Sequence, residues 1–307
     1  MPRPDLTVCL VAYNCREDLV RCARSIYDSL KEISVEVVLA DNASSDDVLE
    51  VFRRDWPQVR LVEMGENAGF AKANNAGIEV SSGRHVLLLN PDTEVHPGAL
   101  DEMVAFADAH PGAGAVAPRL LNPDLTDQGT ARAFPTAAAA LFGRRSPLTR
   151  MFPGNRWSKK FLIGLEARGE APFEVDWVSG ACLMVPREVV TEVGPLDEDF
   201  FMHWEDAEWC HRIKSTGRGV WAVPGAQVVH HEGGSRRGWP PAQVWHFHHG
   251  AYLYWKKTQA PNPLNPLRWL AGAALMARAA LIIARDSLLR RVRRPAPEPV
   301  PSTIASR

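Results

Sequence analysis

Short apolar runs alternate with amphipathic stretches through the first 120 residues. Residues 6–11 (LTVCLV), 35–40 (VEVVLA), 59–64 (VRLVEM), 85–89 (HVLLL) and 113–118 (AGAVAP) have the length and apolar density of buried strands. Between them, residues 17–31, 47–55 and 70–81 carry helical spacing, the last ended by Gly83. A further helix opens at Pro97, a favourable first-turn proline. This β-α-β-α order predicts an α/β fold, Rossmann-like, with a mostly parallel sheet and helices on both faces. Ligands of such sheets bind beyond the carboxyl ends of the strands.

Those ends are Tyr13-Asn14, the run Asp41-Asn42-Ala43-Ser44, Asn67-Ala68-Gly69, and Asn90-Pro91-Asp92. Each alone suits an ordinary turn, since Asn, Asp, Ser and Gly favour turns. All four on one rim, with Asp41 and Asp92 both following buried strands, point to a ligand cleft. Pro91 stiffens its segment, because proline fixes its own φ and pushes the preceding residue toward extended backbone.

Composition narrows the class. The chain has 307 residues, 46% hydrophobic and 23% charged, as an ordinary globular enzyme does. The net charge is −1, but ten basic and two acidic residues follow from Lys256 onward. A basic tail of that kind suits an anionic surface. Five cysteines with no C-x-x-C pair argue against a disulfide framework or a zinc cluster and for a cytoplasmic protein. The first residues lack the shape of a signal peptide.

The ordered segments VAYN, VVLADNASSDD, ENAGFAKANNAGI and LLLNPDTEV resemble the N-terminal half of glycosyltransferase family 2, which has the GT-A fold. The stretch from VSGACLMVPREV through FFMHWEDAEWCHRI to QVVHHEGGS is similar to the second half, most of all in rhamnosyltransferase-type members. The resemblance covers residues 6–235 and implies a GT-A domain over 1–235, with an excursion at 122–174 beside the site. A helical extension at 236–263, a basic amphipathic helix at 264–294 and a disordered tail at 295–307 follow.

What the resemblance implies for the chemistry can be set out residue by residue. Asp92 would hold Mg²⁺ or Mn²⁺ against the donor diphosphate, with His230 completing the metal site. Family relatives often carry an aspartate where this chain has Asn90, so only one charged ligand comes from that segment. Asp41 would accept from the ring N–H of uracil or thymine, with Tyr13, Asn14 and Asn42 around the base. Gly69, Lys72, Asn75 and Asn90 would shape the donor side, although Lys72 equally suits a solvated surface. Asp206 would take the acceptor hydroxyl proton in an inverting transfer, with Glu205 orienting or binding the acceptor. Trp177, Gly180, Trp204 and Arg212 would form the acceptor side, although either tryptophan equally suits the core. His246, His248 and His249 read as a helix with aromatic packing, structural or acceptor-facing.

The expected activity is transfer of a sugar, L-rhamnose from dTDP-rhamnose, to a lipid-linked or cell-surface glycan. A UDP-sugar enzyme of the same fold and a non-catalytic nucleotide-sugar-binding protein are the alternatives. The partners would be the nucleotide-sugar donor, a polyprenyl-diphosphate-linked acceptor and an anionic membrane, with a second copy of the chain possible and no nucleic acid. In the tail, the longest uncharged run is residues 269–277, short of the ~20 a spanning helix needs. Arg268, Arg278, Arg285, Asp286 and Arg290 fall within an arc of about 140°. This pattern predicts a helix lying on the inner membrane face, or packed on the enzyme.

Overall fold

The computed structural model describes residues 3–129, 131–135, 151, 169–231 and 240–292, without the side chains of 290–292. Most of the expected excursion at 122–174, residues 232–235 and the tail at 295–307 lie outside the described residues. Among the described residues nine strands form one sheet: β1 Leu6–Ala12, β2 Val35–Asp41, β3 Arg60–Glu63, β4 His85–Leu89, β5 Thr93–Val95, β6 Ala113–Leu121, β7 Phe173–Val175, β8 Cys182–Pro186 and β9 Gly219–His230. Their order is β3-β2-β1-β4-β8-β6-β9-β5, with β7 pairing to β9.

The first half of that order is parallel, as alternating strands and helices require: β1 pairs with β2 and β4, and β2 with β3. Helices α1 (Arg16–Ser29), α2 (Val48–Asp55), α3 (Phe70–Val80) and α4 (Ala99–Ala109) are the connections. Alternate side chains of β4 divide between two cores. Leu87 and Leu89 join Leu19, Ile26 and Met103, whereas Val86 and Leu88 join Ile78, Trp209 and Ile213.

The second half is mixed. β8 enters antiparallel between β4 and β6, and β5 and β7 both run antiparallel to β9. β5 and β7 are three residues each, too short to carry a periodic signal. β5 matters nonetheless, since it pairs Thr93 with His230 and so fixes the Asp92 segment against the end of β9.

Helices α5 (Arg187–Val193), α6 (Glu205–Ser215), α7 (Pro241–Thr258) and α8 (Pro266–Val292) complete the described elements. At Gly250, α7 comes so close to the start of α6 that an added Cβ would sit 2.6 Å from the His203 carbonyl oxygen. α8 packs on α7, with Gly272 facing the Tyr252 ring. On α8, Gly272 and Ala279 are buried, while Leu267, Leu270, Leu281 and Leu288 are exposed. These four leucines lie within an arc of about 60°, on the side away from α7. The packed face overlaps one end of the charged arc, so Arg268 and Asp286 are half-buried beside α7 while Arg278 and Arg285, toward the other end, are exposed. The helix is therefore not divided into one polar and one apolar half. Within Pro266–Leu289 the most apolar 18 residues reach a mean hydropathy of 1.6, and the helix has the length of a spanning one, despite the arginine interruptions.

Candidate active site

The ends of β1 and β2 are locked to each other by side chains. Asn14, in the left-handed region at φ 52°, accepts from the Ser45 N–H (2.7 Å) and Ser45 hydroxyl (2.9 Å). Its own N–H donates to Ser44 Oγ over 3.1 Å. Buried Asp41 accepts from the Ser44 N–H through both oxygens, at 3.3 and 3.2 Å. Buried Asn42 reaches the next loop: its amide donates to the Gly69 carbonyl (3.1 Å) and accepts from the Ala68 N–H (3.2 Å). Tyr13, beside Asn14 in this rim, is half-exposed.

Gly69 joins this rim to the segment before α6. Its φ is +86°, and an added Cβ would lie 2.4 Å from the Phe201 carbonyl oxygen. The same carbonyl accepts from the Phe70 N–H at 2.7 Å. Only glycine combines that backbone geometry with that approach.

At the end of β4, the Asn90 N–H donates to the Ala181 carbonyl (2.9 Å), and Thr93 Oγ donates to the Asn90 carbonyl (2.7 Å). Asp92 Oδ1 lies 3.3 Å from His230 Nε2, and the Asn90 amide nitrogen lies 3.4 Å from the same ring atom. The far side of the ring is held by Gln128. Gln128 Oε1 lies 3.0 Å from His230 Nδ1, and its Nε2 donates to the His230 carbonyl over 2.6 Å. The adjacent His231 turns instead to Glu94, at 2.8 Å. Burial pushes the Asp92 carboxyl up, but when the His230 ring carries its second proton its hydrogen bond and charge, with His231 beyond it, outweigh this and hold Asp92 below the usual aspartate value.

This donor set fits a hard divalent cation. A carboxylate oxygen and a ring nitrogen converge at one point, and Asn90 adjoins them. No group of three or more His, Cys, Asp or Glu forms a cage among the described residues. Mg²⁺ and Mn²⁺ sites of this kind rely on few protein ligands and take their remaining oxygens from phosphate and water.

The Asp206 cluster adjoins this point through two consecutive residues. Ala181 accepts from Asn90, and the Gly180 N–H donates to Asp206 Oδ2 at 2.9 Å. Asp206 Oδ1 accepts from the Ala207 N–H at 2.8 Å, within the first turn of α6. Burial raises the Asp206 carboxyl above the usual value, opposed by the Gly180 and Ala207 N–H groups and by the charge of Arg132. Glu205 is more deeply buried, and its Oε2 has no hydrogen-bond partner among the described residues. Burial and the neighbouring Asp206 charge raise its carboxyl well above the usual value.

The backbone entering α6 is strained. His203 and Trp204 both have left-handed φ, at 69° and 77°, a conformation that costs energy in residues with a side chain and concentrates at functional sites. Trp204 stacks at 6.4 Å on buried Trp177, whose indole N–H donates to the Ala133 carbonyl at 3.1 Å. The Arg132 guanidinium lies 5.0 Å over the Trp177 ring.

The structure thus brings together Asn90, Asp92, His230, Gly180, Trp204, Glu205 and Asp206, with Trp177 packed behind Trp204. Asn14, Asp41, Asn42 and Gly69 build the adjoining rim. Lys72 is exposed and pairs with Glu66 at 3.6 Å. Asn75 uses its amide on the Leu196 backbone (2.8 and 3.0 Å) and on Glu198 (3.0 Å), bracing α3. Arg212 turns its donors to Glu208 and to the carbonyls of Val193, Gly194 and Pro195. Asn75 and Arg212 therefore brace the scaffold rather than line the cluster. His246 stacks on Phe201 at 4.3 Å and His248 meets Phe247 edge-on at 5.6 Å, so these two rings pack as aromatics. Gln128 and Arg132 carried no signal in the sequence: each gains its meaning from a partner 102 or 45 positions away.

Comparison with known proteins agrees with this geometry. The sequence profile of glycosyl transferase family 2 matches residues 7–165. An N-acetylglucosaminyl-diphospho-decaprenol L-rhamnosyltransferase of Mycobacterium tuberculosis is 31% identical over 300 residues, covering 94% of this chain and 96% of that one. A dTDP-rhamnosyl transferase of Shigella flexneri is 24% identical over 72% of this chain and 67% of its own. Among solved structures, GalNAc-T7 with UDP, GalNAc and Mn²⁺ superposes with a TM-score of 0.61 at 16% identity, over 92% of this chain and 58% of that one. The mannosyltransferase of Pyrobaculum calidifontis in complex with GDP-Man and Mn²⁺ gives 0.56 at 19% identity, over 95% and 82%. Both share the GT-A fold. With its strand ends, its Asn-Pro-Asp segment and its Glu-Asp pair in one neighbourhood, the chain belongs to glycosyl transferase family 2.

Proposed function

We propose that the protein is an inverting glycosyltransferase that moves L-rhamnose from dTDP-rhamnose to a hydroxyl of a polyprenyl-diphosphate-linked glycan. The observation that carries this reading is the adjacency built by two hydrogen bonds, Asn90 to Ala181 and Gly180 to Asp206. That adjacency, with Asn90 and Asp206 on either flank of the same two residues, supports a phosphate-side role for the Asp92 segment and a proton-accepting role for Asp206. The donor and the acceptor class are supported by the relatives named for rhamnosyl transfer, one of them matching over nearly its full length.

In this reading Asp92 and His230 hold Mg²⁺ or Mn²⁺, which supplies positive charge against the leaving diphosphate. The Asp41 rim receives the base, and Tyr13 packs beside it. Asp206 takes the proton from the attacking hydroxyl. Its raised affinity for a proton makes it a stronger base than a free aspartate, and the Gly180 N–H keeps its Oδ2 aimed. Buried Glu205, beside it, stays protonated more readily and limits the charge the pair carries. Trp204 offers an indole face to a sugar ring.

The leucine stripe of α8, edged by Arg278 and Arg285, lies in the inner leaflet of an anionic membrane and brings the enzyme to lipid-linked acceptor by encounter in two dimensions. The test is acceptor-dependent release of dTDP from dTDP-rhamnose, using a polyprenyl-diphosphate-linked N-acetylglucosamine, with and without EDTA. Release that needs both acceptor and metal is expected. Turnover of a UDP-sugar in place of dTDP-rhamnose would overturn the donor assignment.

A further inference from the structure

We infer that Gln128 is a positioning residue that fixes His230 in one ring tautomer, with Nδ1 protonated and the Nε2 lone pair turned toward Asp92. The argument rests on what each atom can do. The His230 carbonyl only accepts, so the Gln128 atom 2.6 Å from it is the amide nitrogen. The other end of the amide, 3.0 Å from His230 Nδ1, is then the oxygen, which also only accepts. Nδ1 must therefore donate. In a neutral ring this leaves Nε2 as an acceptor, 3.4 Å from the Asn90 amide nitrogen, which can donate to it.

The consequence lies on the Asp92 side. Nε2 and Asp92 Oδ1, two acceptors 3.3 Å apart, face one another with no proton of the neutral ring between them. Such a pair is held favourably by a cation, and ring orientation by a hydrogen bond at the far nitrogen is what tunes a histidine ligand. Both Gln128 and His230 are buried, so water does not compete readily for either end of the amide. The inference rests on the metal reading above and assigns a role to a residue outside the expected donor set.

Two measurements test it. Histidine-selective ¹⁵N NMR on the full chain, with the His230 signal identified by its loss in His230→Ala, should show the Nδ1-protonated tautomer when the ring is neutral. The opposite tautomer would overturn the inference without any variant at Gln128. The second measurement is Mn²⁺ titration by electron paramagnetic resonance in the presence of dTDP, for the parent, Gln128→Leu, His230→Ala and the double variant. Gln128→Leu should weaken Mn²⁺ about 10–100-fold. In the His230→Ala background the same change should have no effect beyond about twofold. A parent that takes up Mn²⁺ and a folded Gln128→Leu that takes it up equally well would overturn the role of Gln128 alone. A parent that takes up no Mn²⁺ would overturn the metal reading, and this inference with it.

Discussion

Gly180 and Asp206 are joined by a 2.9 Å hydrogen bond from the glycine N–H to the carboxylate, and a Cβ on Gly180 would lie 3.3 Å from the Asp206 Cβ. That separation is slightly too tight for a relaxed contact, so alanine there displaces Asp206 by a small amount without breaking the fold. Gly180→Ala should lower kcat by roughly tenfold, because small misplacements of a reacting group are costly. Donor KM should stay near the parental value. Steady-state kinetics with both substrates measures this.

Gly69 is the tighter case. Its positive φ and its approach to the Phe201 carbonyl are both forbidden to alanine, whereas Gly65, also at positive φ (72°), faces open space. Gly69→Ala should therefore destabilise the chain by about 1–3 kcal/mol more than Gly65→Ala, the range typical of overpacking. Urea denaturation of the two variants gives the difference.

Sequence reasoning reached the strand ends because they are local: a buried run followed by Asn, Asp or Gly marks a rim in one dimension. Asp92 could be read that way, and Asp206 from the acidic cluster at a helix start together with the family resemblance. Gln128, Arg132 and the contact of Gly69 with Phe201 could not, since each depends on a partner far along the chain that only the folded sheet and its loops bring close. The same limit applies to Arg212. Its charge six residues after Asp206 looks available in sequence, yet the fold turns it to Glu208 and three carbonyls. The charged arc of α8 was legible, but which part of it faces α7 was not.

The Glu205–Asp206 pair makes stability fall with rising pH. The folded chain holds a proton on Glu205 that an unfolded chain releases near its ordinary value of about 4.3. The stabilisation is whole below that value and declines as pH rises toward the raised folded value. Glu205→Gln removes the charge that is hard to bury. At pH 7 its Tm should exceed the parental Tm by about 2–4 °C. The gap should close near about pH 4, where both side chains are neutral. Thermal melts across that range decide the matter, and a variant less stable than the parent at pH 7 would contradict it.

The exposed leucines of α8 predict a surface effect separable from chemistry. Leu270→Asp with Leu281→Asp should release the protein from anionic vesicles in sedimentation, while turnover of a soluble acceptor analogue stays near parental. Binding that survives the double change would remove this face from the membrane.

The account stands on Asp92 and Asp206 serving one donor in different ways. The direct test measures dTDP-rhamnose affinity with Mn²⁺ and the transfer rate in Asp92→Asn and Asp206→Asn. Asp92→Asn should lose affinity by at least about tenfold, the effect of a lost metal ligand shell. Asp206→Asn should bind donor as the parent does and slow transfer by about 10²–10⁴-fold. Near-parental turnover in a folded Asp206→Asn would contradict the account.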